Sequence, residues 1–156
     1  KKGIEYEVVP GVSSVFAGAA ALKREFTLPG VTQTMILTRM AGRTPVPEAE
    51  SIENLAKIQA SMAIFLSIAS IEELANKLMT SYPKDTPAAV VYKASWPDQK
   101  IIISTLEKIA GEVKSADINK TALVYVGRFL SDEFELSKLY DKHFSHEYRE
   151  AKDARG

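Results

Sequence analysis

Met62 to Leu66 reads MAIFL, a near-continuous apolar run with no polar residue alternating through it. A strand with one wet face alternates. One that does not is covered on both faces, so the sheet holding it carries a layer on each side. Ala122 to Val126 (ALVYV) is another apolar strand, stopped by Gly127, and Pro87 opens a further one over Ala88 to Tyr92. Only a short loop separates Tyr92 from Lys100 to Ser104, which pairs the two as a hairpin.

Helical signals fall between these strands. Ser70 with Glu73 has the spacing of a capping box, and Ile71, Leu74, Ala75 and Leu78 form the inward stripe of the helix it starts. Ile52, Leu55 and Ala56 mark a short amphipathic helix, and Thr105 to Val113 a further one. Near the start, Ile4 to Val9 alternates as a strand does until Pro10-Gly11 breaks it. Ser13 or Ser14 then caps a helix of small residues through VFAGAAALKR, and Thr34 to Thr38 is a strand. Ser131 caps a last helix through Leu139, with Asp132, Glu133 and Glu135 in its first turn, and the remainder from Asp141 is polar. Strands and helices that mostly alternate, with one hairpin, predict an α/β fold: a mixed, mostly five-stranded sheet flanked by helices.

The 156 residues suit one domain with a substantial core. Twenty basic and twenty acidic side chains cancel, so no global field draws the chain to nucleic acid or an anionic membrane. Anion recognition must come from a local cluster. There is no cysteine, which excludes disulfides and thiolate chemistry and fits a cytoplasmic home. No apolar run approaches the roughly 20 residues that span a bilayer, and KKGIEYEVV is not a signal peptide. The chain opens almost directly in a strand without an initiator Met, and reads as an excised fragment.

Two loops at strand ends carry the chemistry. LTRMAGRTPVPE sets Arg39 and Arg43 at either end of a proline-stiffened loop, where two guanidinium forks suit a polycarboxylate. A surface loop whose arginines pair with Glu48 or Glu50 has the same spacing. VVYKASWPDQK puts Tyr92, Lys93, Ala94, Ser95 and Trp96 together, offering small residues for close approach and a flat face for stacking. A hairpin whose Trp covers the core edge reads the same way. MAIFLSIAS brings Leu66, Ser67 and Ala69 to the carboxyl end of a buried strand, where open α/β sheets take ligands. Neither a G-x-G-x-x-G nor a Walker loop nor a serine elbow is present. His143 and His146 have metal-like spacing without a third ligand, so no metal site is expected.

GIEYEVVPGVSS, TQTMILTRMAGRTPVPE, TPAAVVYKASWPDQKI and SKLYDKHFSHEYR together resemble the tetrapyrrole (corrin/porphyrin) methylases, and within them the branch that methylates C11 of (cobalt-)precorrin-4 in cobalamin biosynthesis. The resemblance implies a two-domain homodimer with S-adenosylmethionine between the domains and S-adenosylhomocysteine as product. It implies that residues 1–11 are the inter-domain strand and Pro-Gly turn, 12–130 the C-terminal α/β domain, and 131–156 a terminal helix and polar tail. The family's N-terminal cofactor domain, with its Gly-Pro-Gly-Asp-Pro loop, would then be absent. Carried over by position, Leu66 stands where relatives have a Met or Leu touching the cofactor. Ala94 stands where they have a Gly or Ala against it, with Lys93 adjacent, and Thr121 near the adenine. Arg39 and Arg43 are the candidates for the substrate carboxylates on charge alone. No catalytic base is visible. Another tetrapyrrole as substrate, or a non-catalytic module of the same fold, are the alternatives.

Overall fold

The computed structural model describes residue 5 and residues 7–132. Five strands, β1 (Met35–Arg39), β2 (Ser61–Phe65), β3 (Pro87–Tyr92), β4 (Lys100–Thr105) and β5 (Ala122–Val126), form one sheet in the order β1-β2-β5-β3-β4. β1 and β2 are parallel, and every other pair is antiparallel. The mixed five-stranded α/β architecture expected from the sequence is the one present.

Successive side chains along each inner strand feed two separate cores. Met62, Ile64, Val90, Val124 and Val126 point to the side covered by α2 (Ile52–Ala56), α3 (Ile71–Leu78) and α4 (Ile109–Ser115). Ala63, Ala89, Val91, Leu123 and Tyr125 point to the other, covered by α1 (Ser14–Leu22) with Phe26 and Phe129. Burial on both faces is why β2 and β5 lack polar alternation. On α3 the predicted stripe of Ile71, Leu74, Ala75 and Leu78 is buried throughout.

Ser13 caps α1: its backbone is extended and its Oγ accepts from the Val15 amide at 3.3 Å. Lys23, left-handed at φ 55°, ends the helix. Within α1, Gly18 lies directly over the Tyr125 hydroxyl, and a Cβ built there would stand 1.8 Å from that oxygen. The hydroxyl donates to the Val15 carbonyl at 2.9 Å. Burial holds the phenol well above its ordinary pKa, so it remains a donor.

The details differ from the sequence reading in four places. Glu5 and residues 7–9 belong to no strand, because alternation supplies no ladder partner and the described sheet gives them none. The Ser70–Glu73 capping box does not form: a 3-10 turn, Ile68–Ser70, runs straight into α3, and the Ser70 side chain makes no cap bond. Thr105 pairs with Pro87 in the β3–β4 ladder, which delays α4 to Ile109. Ser131 is extended and its hydroxyl donates to the Arg128 carbonyl at 2.7 Å. The helix predicted to follow it, and His143 and His146, lie outside the described residues.

Gly18→Ala should destabilise the fold by about 1–3 kcal/mol, since the added methyl overpacks a filled contact. Adding Tyr125→Phe removes the oxygen in the way, so the double variant should lose less than the two single losses summed. Thermal unfolding of the four proteins measures this, and strict additivity would show that the contact is not what Gly18 serves.

Candidate functional site

The site is built where β2 and β3 end and β5 begins. Because β5 runs antiparallel to both neighbours, those three termini share one edge of the sheet. The residue at each terminus turns left-handed: Leu66 at φ 53°, Lys93 at φ 47° and Thr121 at φ 55°, with Ser95 at 71° just beyond. None is glycine, and such backbone costs about 1–3 kcal/mol per residue, which persists only where the surroundings impose it. Among the described residues seven non-glycine residues have positive φ, and these four line a single cavity of about 590 Å³. Strain concentrated at one opening marks a built site rather than scattered turns.

All four residues assigned to the cofactor wall, Leu66, Lys93, Ala94 and Thr121, come together there. The Lys93 amide donates to the Thr121 carbonyl at 2.9 Å, closing the floor between β3 and β5. Ala17 of α1 and Trp96 of the β3–β4 loop are also part of the wall. Trp96 is 58% exposed, so it is not packed over the core edge.

Lys93 organises its own loop. Its Nζ lies 2.5 Å from Asp98 Oδ2, 5.1 Å from the Tyr92 ring centre and 5.3 Å from that of Trp96. Asp98, and after it Tyr92, raises the lysine above its ordinary pKa, while the lysine lowers Asp98. The Ser95 amide donates to Gln99 Oε1 at 2.8 Å, closing the loop beneath Trp96.

Arg39 and Arg43 are not placed alike. The Arg39 guanidinium donates to three backbone carbonyls of its own loop: Met40 at 3.1 Å, Thr44 at 3.0 Å and Pro45 at 3.0 Å. It therefore shapes the loop, and it lines a second opening of about 460 Å³ with Pro45, Val46, Pro47, Phe65 and Leu66. Arg43 is exposed and, among the described residues, has no hydrogen-bond or ion-pair partner. Neither arginine pairs with Glu48 or Glu50.

Ser67 is the feature whose role the sequence does not reveal. It is 2% exposed, and its Oγ donates to the Phe65 carbonyl at 2.7 Å while accepting from the Met40 amide at 3.1 Å. One hydroxyl thus ties the ends of β1 and β2. Val12 and Ala17, and Asn119 and Lys120, which carried no motif, also line the larger cavity. A wide groove between α3 and α4 has a mixed lining, and Lys114 with Glu72 and Lys77 with Glu73 form ion pairs within it. Among the described residues no cluster of His, Asp or Glu could hold a metal ion, and no helix is long and apolar enough to cross a membrane.

Residues 1–110 match the family model for tetrapyrrole (corrin/porphyrin) methylases. The chain belongs to this family. A cobalt-precorrin-4 C(11)-methyltransferase of Methanocaldococcus jannaschii is 52% identical over 153 residues, spanning 97% of this chain and 59% of the relative. One from Priestia megaterium is 44% identical, spanning 96% of this chain and 60% of its own length. Among solved structures, a cobalt-precorrin-4 methyltransferase superposes with a TM-score of 0.80 at 44% identity, over 83% of this methylase chain and 55% of that one. The fold alone is shared with a uroporphyrin-III C-methyltransferase of Thermus thermophilus, at a TM-score of 0.67 and 20% identity, over 83% of this chain and 53% of that one. The chain spans about three fifths of the curated relatives it matches.

Trp96 is the sole tryptophan, so its emission reports the Lys93–Asp98 latch. A carboxyl whose folded pKa is lowered keeps its interaction above the ordinary value and loses it as pH falls through the folded value. Trp96 emission should therefore hold steady down to the ordinary aspartate value of 3.8 and change only below it. Asp98→Asn should produce the altered emission already at neutral pH, and identical spectra for the two proteins would mean that the latch does not hold the loop.

Proposed function

We propose that the complete protein carrying this chain transfers a methyl group from S-adenosylmethionine to C11 of cobalt-precorrin-4, in cobalamin biosynthesis. The observation that carries this is the 52% identity, over nearly the whole chain, with a relative of that name. The geometry agrees with it. A cavity of about 590 Å³ falls in the range of small-molecule sites, and its wall combines an exposed indole with small residues.

S-adenosylmethionine, when bound, supplies an already activated sulfonium methyl that a carbon nucleophile takes in line, leaving S-adenosylhomocysteine. The chain's own work is positioning. Ala94 leaves room for close approach of the ligand, Thr121 and Lys93 fix the floor through their backbone bond, and Leu66 projects into the opening. Arg43, exposed and without a partner among the described residues, presents a fork to a substrate carboxylate, while Arg39 holds the loop in shape. The rest of the complete protein supplies the opposite wall of the cleft. A homodimer in the cytoplasm belongs to the same reading.

Two substitutions in the complete protein test it. Ala94→Leu should leave thermal unfolding nearly unchanged while weakening S-adenosylhomocysteine binding about tenfold or more, the consequence of overfilling a close contact. Calorimetry that finds unchanged affinity in the folded variant would remove Ala94 from the site. Arg43→Ala should raise KM for the tetrapyrrole, with a loss of about tenfold in kcat/KM for one charge-assisted contact. Arg43→Lys should recover only part of it, because an ammonium lacks the bidentate fork. Steady-state methyl transfer with cobalt-precorrin-4, precorrin-4 and uroporphyrinogen III separates the substrates, and wild-type kinetics for Arg43→Ala would leave that loop a solvated turn.

A further inference from the structure

Leu66 combines three properties that rarely coincide. It is a large apolar side chain left 87% exposed, it has a left-handed backbone at φ 53°, and it lines both openings at the sheet edge. A γ-branched residue adopts that backbone at a cost that glycine does not incur. Nor is the conformation a loose end. Phe65 before it is the last residue of β2, and Ser67 after it is buried and bonded to both the Phe65 carbonyl and the Met40 amide. The two neighbours fix the turn and aim the side chain outward between the cavities. The smaller opening lies on the side of the Arg39-braced loop, and the larger on the side of Lys93, Ala94 and Thr121.

We infer that Leu66 is a partition between a donor cavity and an acceptor chamber, and that the bulk of its side chain determines which carbon of a flat, carboxylate-bearing acceptor reaches the methyl. This rests on the methyltransferase reading above. The chemistry needs such an element. A macrocycle presents several similar carbons, and an in-line transfer selects among them only if the plate stops at one depth. An apolar side chain on a fixed backbone turn at the junction of the two chambers is a stop of that kind.

The strain makes the test decisive. In the complete protein, Leu66→Gly should fold with an unchanged or raised thermal midpoint, because glycine accepts the backbone freely. Its S-adenosylhomocysteine binding should weaken but stay measurable by calorimetry, because Leu66 also stands in the donor wall. Its ratio of kcat/KM between preferred and alternative tetrapyrroles should fall about tenfold or more, with methyl appearing at additional carbons by NMR of the product. Leu66→Phe, which thickens the partition, should lower kcat/KM for the preferred acceptor by more than it weakens donor binding. A melting point clearly lowered by Leu66→Gly would make Leu66 a packing residue and overturn the inference. So would an unchanged acceptor ratio and methyl position in variants that fold and bind donor. Wild-type protein that binds donor yet methylates none of the tetrapyrroles would sink the underlying reading and this one with it, whereas the melting comparison stands without any turnover.

Discussion

The insertion of β5, antiparallel, between β2 and β3 is the constraint on which the rest depends. Without it, β2 and β3 would meet no common partner. With it, the start of one strand lies beside the ends of two others, and Thr121 falls within a hydrogen bond of Lys93. The same strand divides the interior. Val124 and Val126 face the three-helix side, while Leu123 and Tyr125 face α1, so neither core forms without it. Stability and site geometry are thus secured by the same residues. A substitution that loosens β5 is expected to be felt at the cavity before the fold is lost.

The outer strands play a different part. β1 is joined to the sheet through β2 alone, and its end is fixed by the Ser67 hydroxyl and the Arg39 guanidinium. These two groups, with Met40 buried in the three-helix core, convert a proline-containing loop into a defined wall. β4 is the opposite edge, and Ile101 and Ile103 are exposed on it because α1 reaches only as far as the central strands.

Apolar patterning made the layers legible: MAIFL, ALVYV and the Ile71–Leu78 stripe each occupy the places that their periodicity demands. Leu66, Lys93, Ala94 and Thr121 were singled out together by the family resemblance rather than by patterning, and they line one opening. Backbone handedness was not legible. Leucine, lysine and threonine are poor left-handed residues, so local preference argues against the turns that tertiary contacts impose. The failure of the Ser70 capping box has a similar origin, for a serine with the right spacing still needs the right approach, and the 3-10 turn denies it. Charge and spacing do not say where the Arg39 fork points. Its three carbonyl partners come from the fold of the loop itself.

Gly18 determines how closely α1 is seated. The helix rests on the Tyr125 hydroxyl with nothing between them but the missing side chain, and Ala17, the preceding residue, stands in the wall of the larger cavity. The glycine is a shim of zero thickness: whatever lifts the helix there moves the wall as well. The width of the cavity is therefore set from beneath, by a clearance hidden in the core, and not only by the side chains that face the opening.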